Sequence, residues 1–336
     1  MSQQFNRVCS LYVTRAASTG EGVYTPEESI DLSGLRIQFQ TANQDEEGPS
    51  NCSIRVFNLD PQVVKKITRY GFSEVTLQAG YVGNVGTIFS GQIKQFRRGR
   101  LNATDTYLDI LAADGELAYN YGMVSANLDA ARNTPDGQRA VLNAAMSPLG
   151  VTVPPQDQTS ALGGTGGTIP SPRGKVMFGM GRAYVNIRAR TEGSTWSIQN
   201  GRLVIRPFNT YAPNDPVLVT AQTGLIGTPE ATQSGINMKI LLNPKIVCGQ
   251  KIQMDNATIN TTQFVGPDGS VSNNGIPFNQ WGGTNSIQFL ADTSFDGTYR
   301  AYVIEHTGDT RGQEWYTNLV CLLIDNTSQS VVGDSS

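Results

Sequence analysis

The sequence predicts a mainly β protein with a smaller α+β insert, and three observations carry that reading. Turn formers are abundant, with 36 Gly and 16 Pro among 336 residues, and each hairpin consumes such residues where a long helix does not. Apolar–polar alternation with a period of two recurs through the first and last thirds. Helix starts, by contrast, occur only once early and again in the middle. The length accommodates two or three domains. The apolar fraction of 38% and the charged fraction of 16% are both low for a globular chain.

The first third reads as strands with one helix. Val8–Thr14 opens it, and a Gly/Ser/Glu-rich loop follows through Pro26. Leu35–Gln40 and Ile54–Asn58 alternate as half-buried strands do. Asp60-Pro61 then supplies an N-cap side chain and a proline at the first helical position. Val63, Val64, Ile67 and Tyr70 mark one helical face, with Gly71 as the stop. Val75–Ala79, Thr87–Phe89, Gln92–Phe96 and Thr106–Leu111 give further strands. Strands at this spacing around one short helix predict a barrel or a sandwich.

At Asp114-Gly115 the pattern changes. Thr134-Pro135 starts a second helix that Ala140, Val141, Ala144 and Ala145 continue toward Pro148. A Gly/Ser/Thr/Pro-rich connector covers Val153 to Gly174, and a helix is expected over Gly181 to Glu192. Thr195–Gln199 and Arg202–Arg206 flank Asn200-Gly201, the strongest hairpin signal in the chain, because a type I′ turn needs positive φ twice. The final third returns to strands at Val217–Thr220, Asn237–Leu242, Lys251–Met254, Tyr299–Ile304 and Trp315–Ile324. A polar, Gly/Asn-rich excursion fills 261–295, and a frayed tail is expected from Asn326.

The chemistry that the residues exclude narrows the function. The single histidine, His306, would have to serve any Ser-His-Asp or Cys-His mechanism, and paired-histidine metal sites are impossible. His306 is expected to be a satisfied structural residue. Asp45, Glu46 and Glu47 read as a solvated loop, and Glu305 and Asp309 as residues about a turn, so no carboxylate pair suggests a glycosidase. Gly167 to Gly174-Lys175 has the wrong spacing for a phosphate loop, and Gly179-Met-Gly181 lacks the third Gly of a dinucleotide fingerprint. Cys9, Cys52, Cys248 and Cys321 have no zinc or redox spacing and read as small buried hydrophobes, which points to a soluble, reduced, cytosolic product. The net charge of −3 argues against a nucleic-acid surface. The basic run Lys94, Arg97, Arg98 and Arg100 reads as a solvated strand end, with contact to an acidic neighbouring subunit as the other reading. The longest apolar run, Leu319–Ile324, falls far short of the ~20 residues that cross a bilayer.

Particular motifs resemble one family. Asp105–Gly115, with Ile88–Gly99 before it, is similar to the first barrel of the baseplate hub proteins of contractile-tailed bacteriophages. Gly174–Gly179 and Thr195–Ser197 resemble that family's central domain. Leu225–Glu230, Leu241–Lys245 and Glu305–Gly312 resemble its last barrel. The resemblance covers roughly 5–325 in order, and 261–295 matches none of it.

This resemblance implies two tail-tube-like β-barrel domains, at 1–115 and 211–336, flanking a smaller α+β domain at 116–210. It implies a structural subunit and not an enzyme, with no catalytic, cofactor-binding or metal residue to carry over and no cofactor. The expected assembly is a homotrimer that adapts a sixfold tail tube to a threefold central spike. Tail tube and spike proteins are the expected partners, with tape measure protein and other baseplate subunits as further neighbours. DNA is expected only in passage through the lumen, and no membrane anchoring is expected. The implied location is the virion, in the tail baseplate, after synthesis in the host cytoplasm. A distal tail protein is the nearest alternative; a tail-associated cell-wall hydrolase or a receptor-binding protein would be others.

Overall fold

The structure, a computed structural model, describes residues 6–18, 24–69, 72–154, 172–191, 193–208, 210–232, 235–254, 264–265, 271–272 and 297–323. The excursion at 261–295, most of the connector at 153–174, Tyr70 and Gly71, and the tail from 326 lie outside the described residues, apart from two two-residue strands.

The first block contains β1 (Arg7–Ser18), β2 (Tyr24–Asp31), β3 (Ile37–Gln44), β4 (Asn51–Phe57), α1 (Pro61–Arg69), β5 (Phe72–Tyr81), β6 (Asn84–Arg100) and β7 (Thr106–Ala113). Alternation does what it should: Ile37, Phe39 and Thr41 of β3 turn inward, as do Cys52, Ile54 and Val56 of β4. The α1 cap is present, because the Gln62 N–H donates to Asp60 Oδ1 at 2.8 Å, and Ile67 is buried on the inner face. Thr87–Phe89 and Gln92–Phe96 are parts of one strand, β6, where the sequence suggested two. Gly91 lies within it, in antiparallel pairing with Val75.

The middle block holds α2 (Glu116–Tyr121), β8 (Met123–Leu128), α3 (Pro135–Met146), β9 (Lys175–Met180), α4 (Gly181–Thr191), β10 (Ser194–Gln199) and β11 (Arg202–Pro207). Thr134 caps α3 by accepting from the Gly137 N–H at 3.0 Å. Leu142, Met146, Val185 and Trp196 close a separate core there, and the Trp196 Nε1–H is satisfied by Asn186 Oδ1 at 2.9 Å. Asn200 and Gly201 have φ of 52° and 69°, the two left-handed residues that the hairpin requires.

The last block holds β12 (Val217–Val219), β13 (Leu225–Thr232), β14 (Gly235–Leu241), β15 (Lys251–Met254), β16 (Phe264–Val265), β17 (Val271–Ser272), β18 (Thr298–Asp309) and β19 (Trp315–Leu323). Thirteen strands of the first and last blocks form one antiparallel sheet with a single parallel pair, ordered β13-β14-β19-β18-β3-β4-β7-β6-β5-β1-β2, and β15 and β12 extend from β18. Among the described residues this path does not close into a barrel. The blocks expected as separate barrels instead share a ladder, because β18 runs past β15 and pairs Val303–Asp309 with Gln38–Gln44 of β3. The cores are shared as well. Trp315 of β19 is buried in the first block's core and meets Phe39 edge-on at 5.4 Å.

Both terminal blocks pair their strands in the same order. The series β3-β4-β7-β6-β5 corresponds to β13-β14-β19-β18-β15, each neighbouring pair being antiparallel. The register agrees down to a bulge. Ile93 pairs with Ala112, Lys94 is skipped, and Gln95 pairs with Leu111; Ala301 pairs with Cys321, Tyr302 is skipped, and Val303 pairs with Val320. A bulge costs one unpaired residue and bends its strand, so finding it at the same ladder position in both blocks marks a repeated unit. The blocks differ at one flank. β1 packs antiparallel on β5, whereas β12 packs parallel on β15, so β12 has the direction of β2 in the position of β1.

The Asn200-Gly201 turn gives the first testable outcome. The Gly201 N–H donates to Asp114 Oδ1 at 2.9 Å, and a Cβ at Gly201 would stand 3.1 Å from the Gly150 carbonyl oxygen. Gly201→Val is expected to destabilise the chain by on the order of 1–3 kcal/mol, and Asn214→Ala to change little. Urea unfolding of the two variants beside the wild type measures the difference.

Candidate functional site

The position where all three blocks meet is built on a carboxylate that the sequence placed in a solvated loop. Asp45 follows β3 and is 1% exposed, and Arg300 of β18 is 3% exposed. Asp45 Oδ2 accepts from Arg300 Nε at 3.0 Å and from Arg300 Nη2 as well. The same oxygen accepts from Arg206 Nη1 of β11 at 3.1 Å. Arg300 Nη1 continues to the carbonyls of Pro207 and Phe208 at 3.0 and 2.8 Å. Arg206 also reaches the Cys248 carbonyl at 3.0 Å. Gly249 permits that approach: its φ is +81°, and a Cβ there would overlap the Arg206 guanidinium. Sequence reasoning missed this cluster because its members are separated by more than 90 residues. Only Glu46 of the Asp45–Glu47 run is an exposed residue without an arginine partner here, Glu47 lying 3.6 Å from Arg190.

The remaining candidates divide clearly. His306 lies on β18, buried, with Nδ1 2.9 Å from Thr317 Oγ1. Burial lowers its pKa to about 4, so the neutral ring is the native form. The neighbouring cavity, about 40 Å³ between Asn43, Ser50, Asp114, Cys248 and His306, has room for water only. Burial raises Asp114 to about 6 against the opposing hydrogen bonds from the Gly201 and Asn200 backbone. Asp309 ends β18 and accepts from the Arg311 N–H at 2.9 Å, the turn role expected of it. Burial pushes its pKa up, but Arg36 Nη2 at 2.6 Å, Gln38 and Arg311 outweigh that and hold the carboxyl well below the usual range. Asp309 and Asp45 are each committed to arginine, and no water-activating pair forms with Glu305. The thiols of Cys52, Cys248 and Cys321 are buried and free, and burial raises them beyond the range where thiolate forms. Among the described residues no group of three His, Cys, Asp or Glu side chains could hold a metal ion.

Two surfaces stand out instead. Arg97, Arg98 and Arg100 are exposed on β6, while Lys94 pairs with Glu116 at 3.0 Å. On the β8–β9 ribbon, Met123, Val176, Phe178 and Met180 present an exposed apolar face, with Phe178 68% exposed. A contiguous exposed apolar face marks an interaction site. Both surfaces are available for contact with a partner.

The fold is that of phage tail proteins. The chain is similar to the 43 kDa tail protein of prophage MuSo2 from Shewanella oneidensis, with a TM-score of 0.52 at 6% identity over 94% of this chain and 97% of that one. It is similar to the tail protein from Neisseria meningitidis MC58, with a TM-score of 0.50 at 8% identity over 95% and 97%. A chain of a PdpA–VgrG complex gives 0.51 at 8% identity over 95% of this chain and 65% of that one. More particularly, residues 175–265 match the family described as baseplate hub gp41. No match is found among curated proteins. These matches describe structural tail proteins, as the resemblance in the sequence implied.

Removing the Asp45 charge would leave two arginines buried without a counter-charge. Asp45→Asn is expected to lower unfolding free energy by about 3–5 kcal/mol, and Glu46→Gln by less than ~1 kcal/mol; urea unfolding at neutral pH separates them.

Acid gives a second outcome. Because His306 is lowered from 6.5 to about 4, the unfolded chain takes up that proton first. The stability it contributes is complete above ~6.5 and is lost as pH falls toward 4. Asp114 is raised from 3.8 to about 6 and works the other way, favouring the folded chain as pH falls through that window. The drop in melting temperature from pH 7 to 5 is therefore expected to shrink in His306→Gln and to grow in Asp114→Asn.

Proposed function

We propose that this chain is the baseplate hub subunit of a contractile phage tail, a homotrimer that joins a sixfold tail tube to a threefold central spike. The observation that carries this reading is the internal repeat, in which the two terminal blocks share strand order, register and bulge. A chain with two equivalent tube-like units turns three copies into six similar units. Three such copies meet a sixfold ring without a gap while keeping threefold symmetry below. In this reading 1–115 and 211–336 are the tube-like barrel units, and 116–210 is the α+β unit between them. The family match over 175–265, which begins in the middle unit and runs into the last, supports the hub over the distal tail protein.

Function then resides in interfaces. The virion baseplate is the working place, the tube and spike are the partners, and DNA passes through the lumen. The exposed apolar face around Phe178 suits a further baseplate subunit, since burying such side chains yields roughly 25 cal/mol per Å². The Asp45 cluster suits a part that transmits force, because it ties the middle block to both strand blocks through buried charge-assisted bonds.

Reconstruction of the isolated tail tip by cryo-electron microscopy, without imposed symmetry, tests the reading. Three copies of the chain arranged as six similar β units are expected between tube and spike. Six copies in one ring would instead identify a distal tail protein. Purified chain is also expected to release no fragments from peptidoglycan; hydrolysis abolished by His306→Gln would sink the non-enzymatic role.

A further inference from the structure

Where β6 meets the middle block, a lysine, an amide and an arginine are arranged about one carboxylate. The register of β6 against β7 skips Lys94, and a bulge re-aims the side chain of its extra residue. Lys94 Nζ lies 3.0 Å from Glu116 Oε2, in the first turn of α2. Residues four apart share a helix face, and Asn120 Nδ2 donates to the other carboxylate oxygen, Glu116 Oε1, at 2.6 Å. On its far side, Asn120 Oδ1 accepts from Arg182 Nη1 of α4 at 3.2 Å. The amide is therefore oriented twice, because a carboxylate needs an N–H facing it and a guanidinium needs an oxygen. Arg182 is held in turn. Its Nη1 also donates to the Tyr119 carbonyl at 3.2 Å, and its guanidinium stands 4.8 Å from the Tyr119 ring. That ring stacks on the buried Trp196.

We infer that the chain cross-links itself here: Lys94 Nζ attacks Asn120 Cγ, the amide nitrogen leaves as ammonium, and an isopeptide bond joins β6 of the first block to α2 of the middle block. Glu116 takes a proton from the Lys94 ammonium, and the freed electron pair on Nζ forms the bond to Cγ. The C=O π electrons move onto Oδ1, where Arg182 stabilises the negative charge. As the oxyanion collapses, the Cγ–Nδ2 bond breaks and Glu116 delivers its proton to Nδ2. The second proton lost by Nζ leaves with the departing nitrogen. Ammonium thus carries away the charge that Lys94 brought, and Glu116 ends as the carboxylate it began as. No oxidant, metal or co-reactant enters.

Proximity compensates for the low reactivity of an amide. Amine and amide are both bound to one carboxylate, and effective molarities for well-oriented groups reach ~10⁵–10⁸ M. The Lys94 side chain is 40% exposed and that of Glu116 17%, so the site opens to solvent on the lysine side. Ammonium escapes there by dilution, and the step does not reverse. An ion pair between Lys94 and Glu116 would need neither the amide nor the arginine. The reaction occurs once per chain, which makes it a self-modification and not enzymatic turnover. It goes beyond the hub reading and does not depend on it. Its consequence is mechanical: the first and middle blocks are tied covalently at a position separate from the Asp45 cluster, and pulling on one cannot part them.

Mass spectrometry of the purified full chain, aged at neutral pH, tests the assignment. The intact mass is expected to fall by one ammonia, and digestion is expected to release a branched peptide joining Lys94 to Asn120, with trypsin no longer cutting after Lys94. The branched peptide decides, because closure of Asn200-Gly201 to a succinimide also releases ammonia. Lys94→Arg keeps the positive charge beside Glu116 but has no primary amine; it should fold with the circular dichroism of the wild type and give no branched peptide. Asn120→Ala should give none either. Glu116→Gln should slow formation of the bond by roughly 10²–10⁴-fold, as loss of an acid–base group does, and Arg182→Gln by roughly 10²-fold. A wild-type chain that stays unlinked after prolonged incubation would overturn the inference. So would a Lys94–Glu116 bond formed with loss of water, an ammonia lost without the branched peptide, or linkage at an undiminished rate in Glu116→Gln. None of these outcomes bears on the hub reading, which the tail-tip reconstruction decides.

Discussion

A carboxylate with almost no access to water has to be paired, and much of this structure is arranged around that requirement at Asp45. Charges of this kind cost several kcal/mol to desolvate and are retained where geometry compensates. Asp45 is compensated twice, by Arg300 from β18 and by Arg206 from β11. Those arginines in turn satisfy the carbonyls of Pro207, Phe208 and Cys248. One side chain thus fixes where the first block, the middle block and the last block stand relative to each other. A purely apolar contact would hold them together but would tolerate sliding, whereas directional bonds to a single oxygen do not.

The second organising element is β18. It closes the last block through β19 and β15, then leaves β15 and takes β3 as its partner on the same side. The switch occurs at the Tyr302 bulge, whose carbonyl accepts from the Asp45 N–H at 2.9 Å. The ion cluster and the strand switch therefore coincide, and the bulge bends the strand where it changes neighbours. β6 carries the equivalent bulge at Lys94, and among the described residues no strand partners it beyond Gln92 as β3 partners β18. That difference distinguishes the two copies of the repeated unit.

Much of the local structure was legible in advance. Asp60-Pro61 and Thr134-Pro135 start helices because each supplies a capping oxygen and a preset φ, and Asn200-Gly201 makes a turn for equally local reasons. β2, β8, β9 and β13 were not picked out as strands. Thr25–Ile30 carries two glutamates, and Leu225–Thr232 contains Gly and Pro, so neither shows period-two alternation. They are strands because a neighbouring ladder receives them. β12 was seen, but its parallel direction was not, since nothing in three residues encodes orientation.

The sequence by itself determined the class of protein: strand-rich, turn-rich, with one histidine and no motif for phosphate, zinc or nucleophilic catalysis. These properties follow from residue identity and short spacing, which need no partner to be read. Only the tertiary structure decided that Asp45 is a buried anchor rather than a solvated loop residue. Only it decided that the two outer blocks share one sheet. Burial and strand partnership are properties of pairs far apart in the chain, 255 residues in the case of Asp45 and Arg300, and no local pattern specifies which distant backbone will complete a ladder.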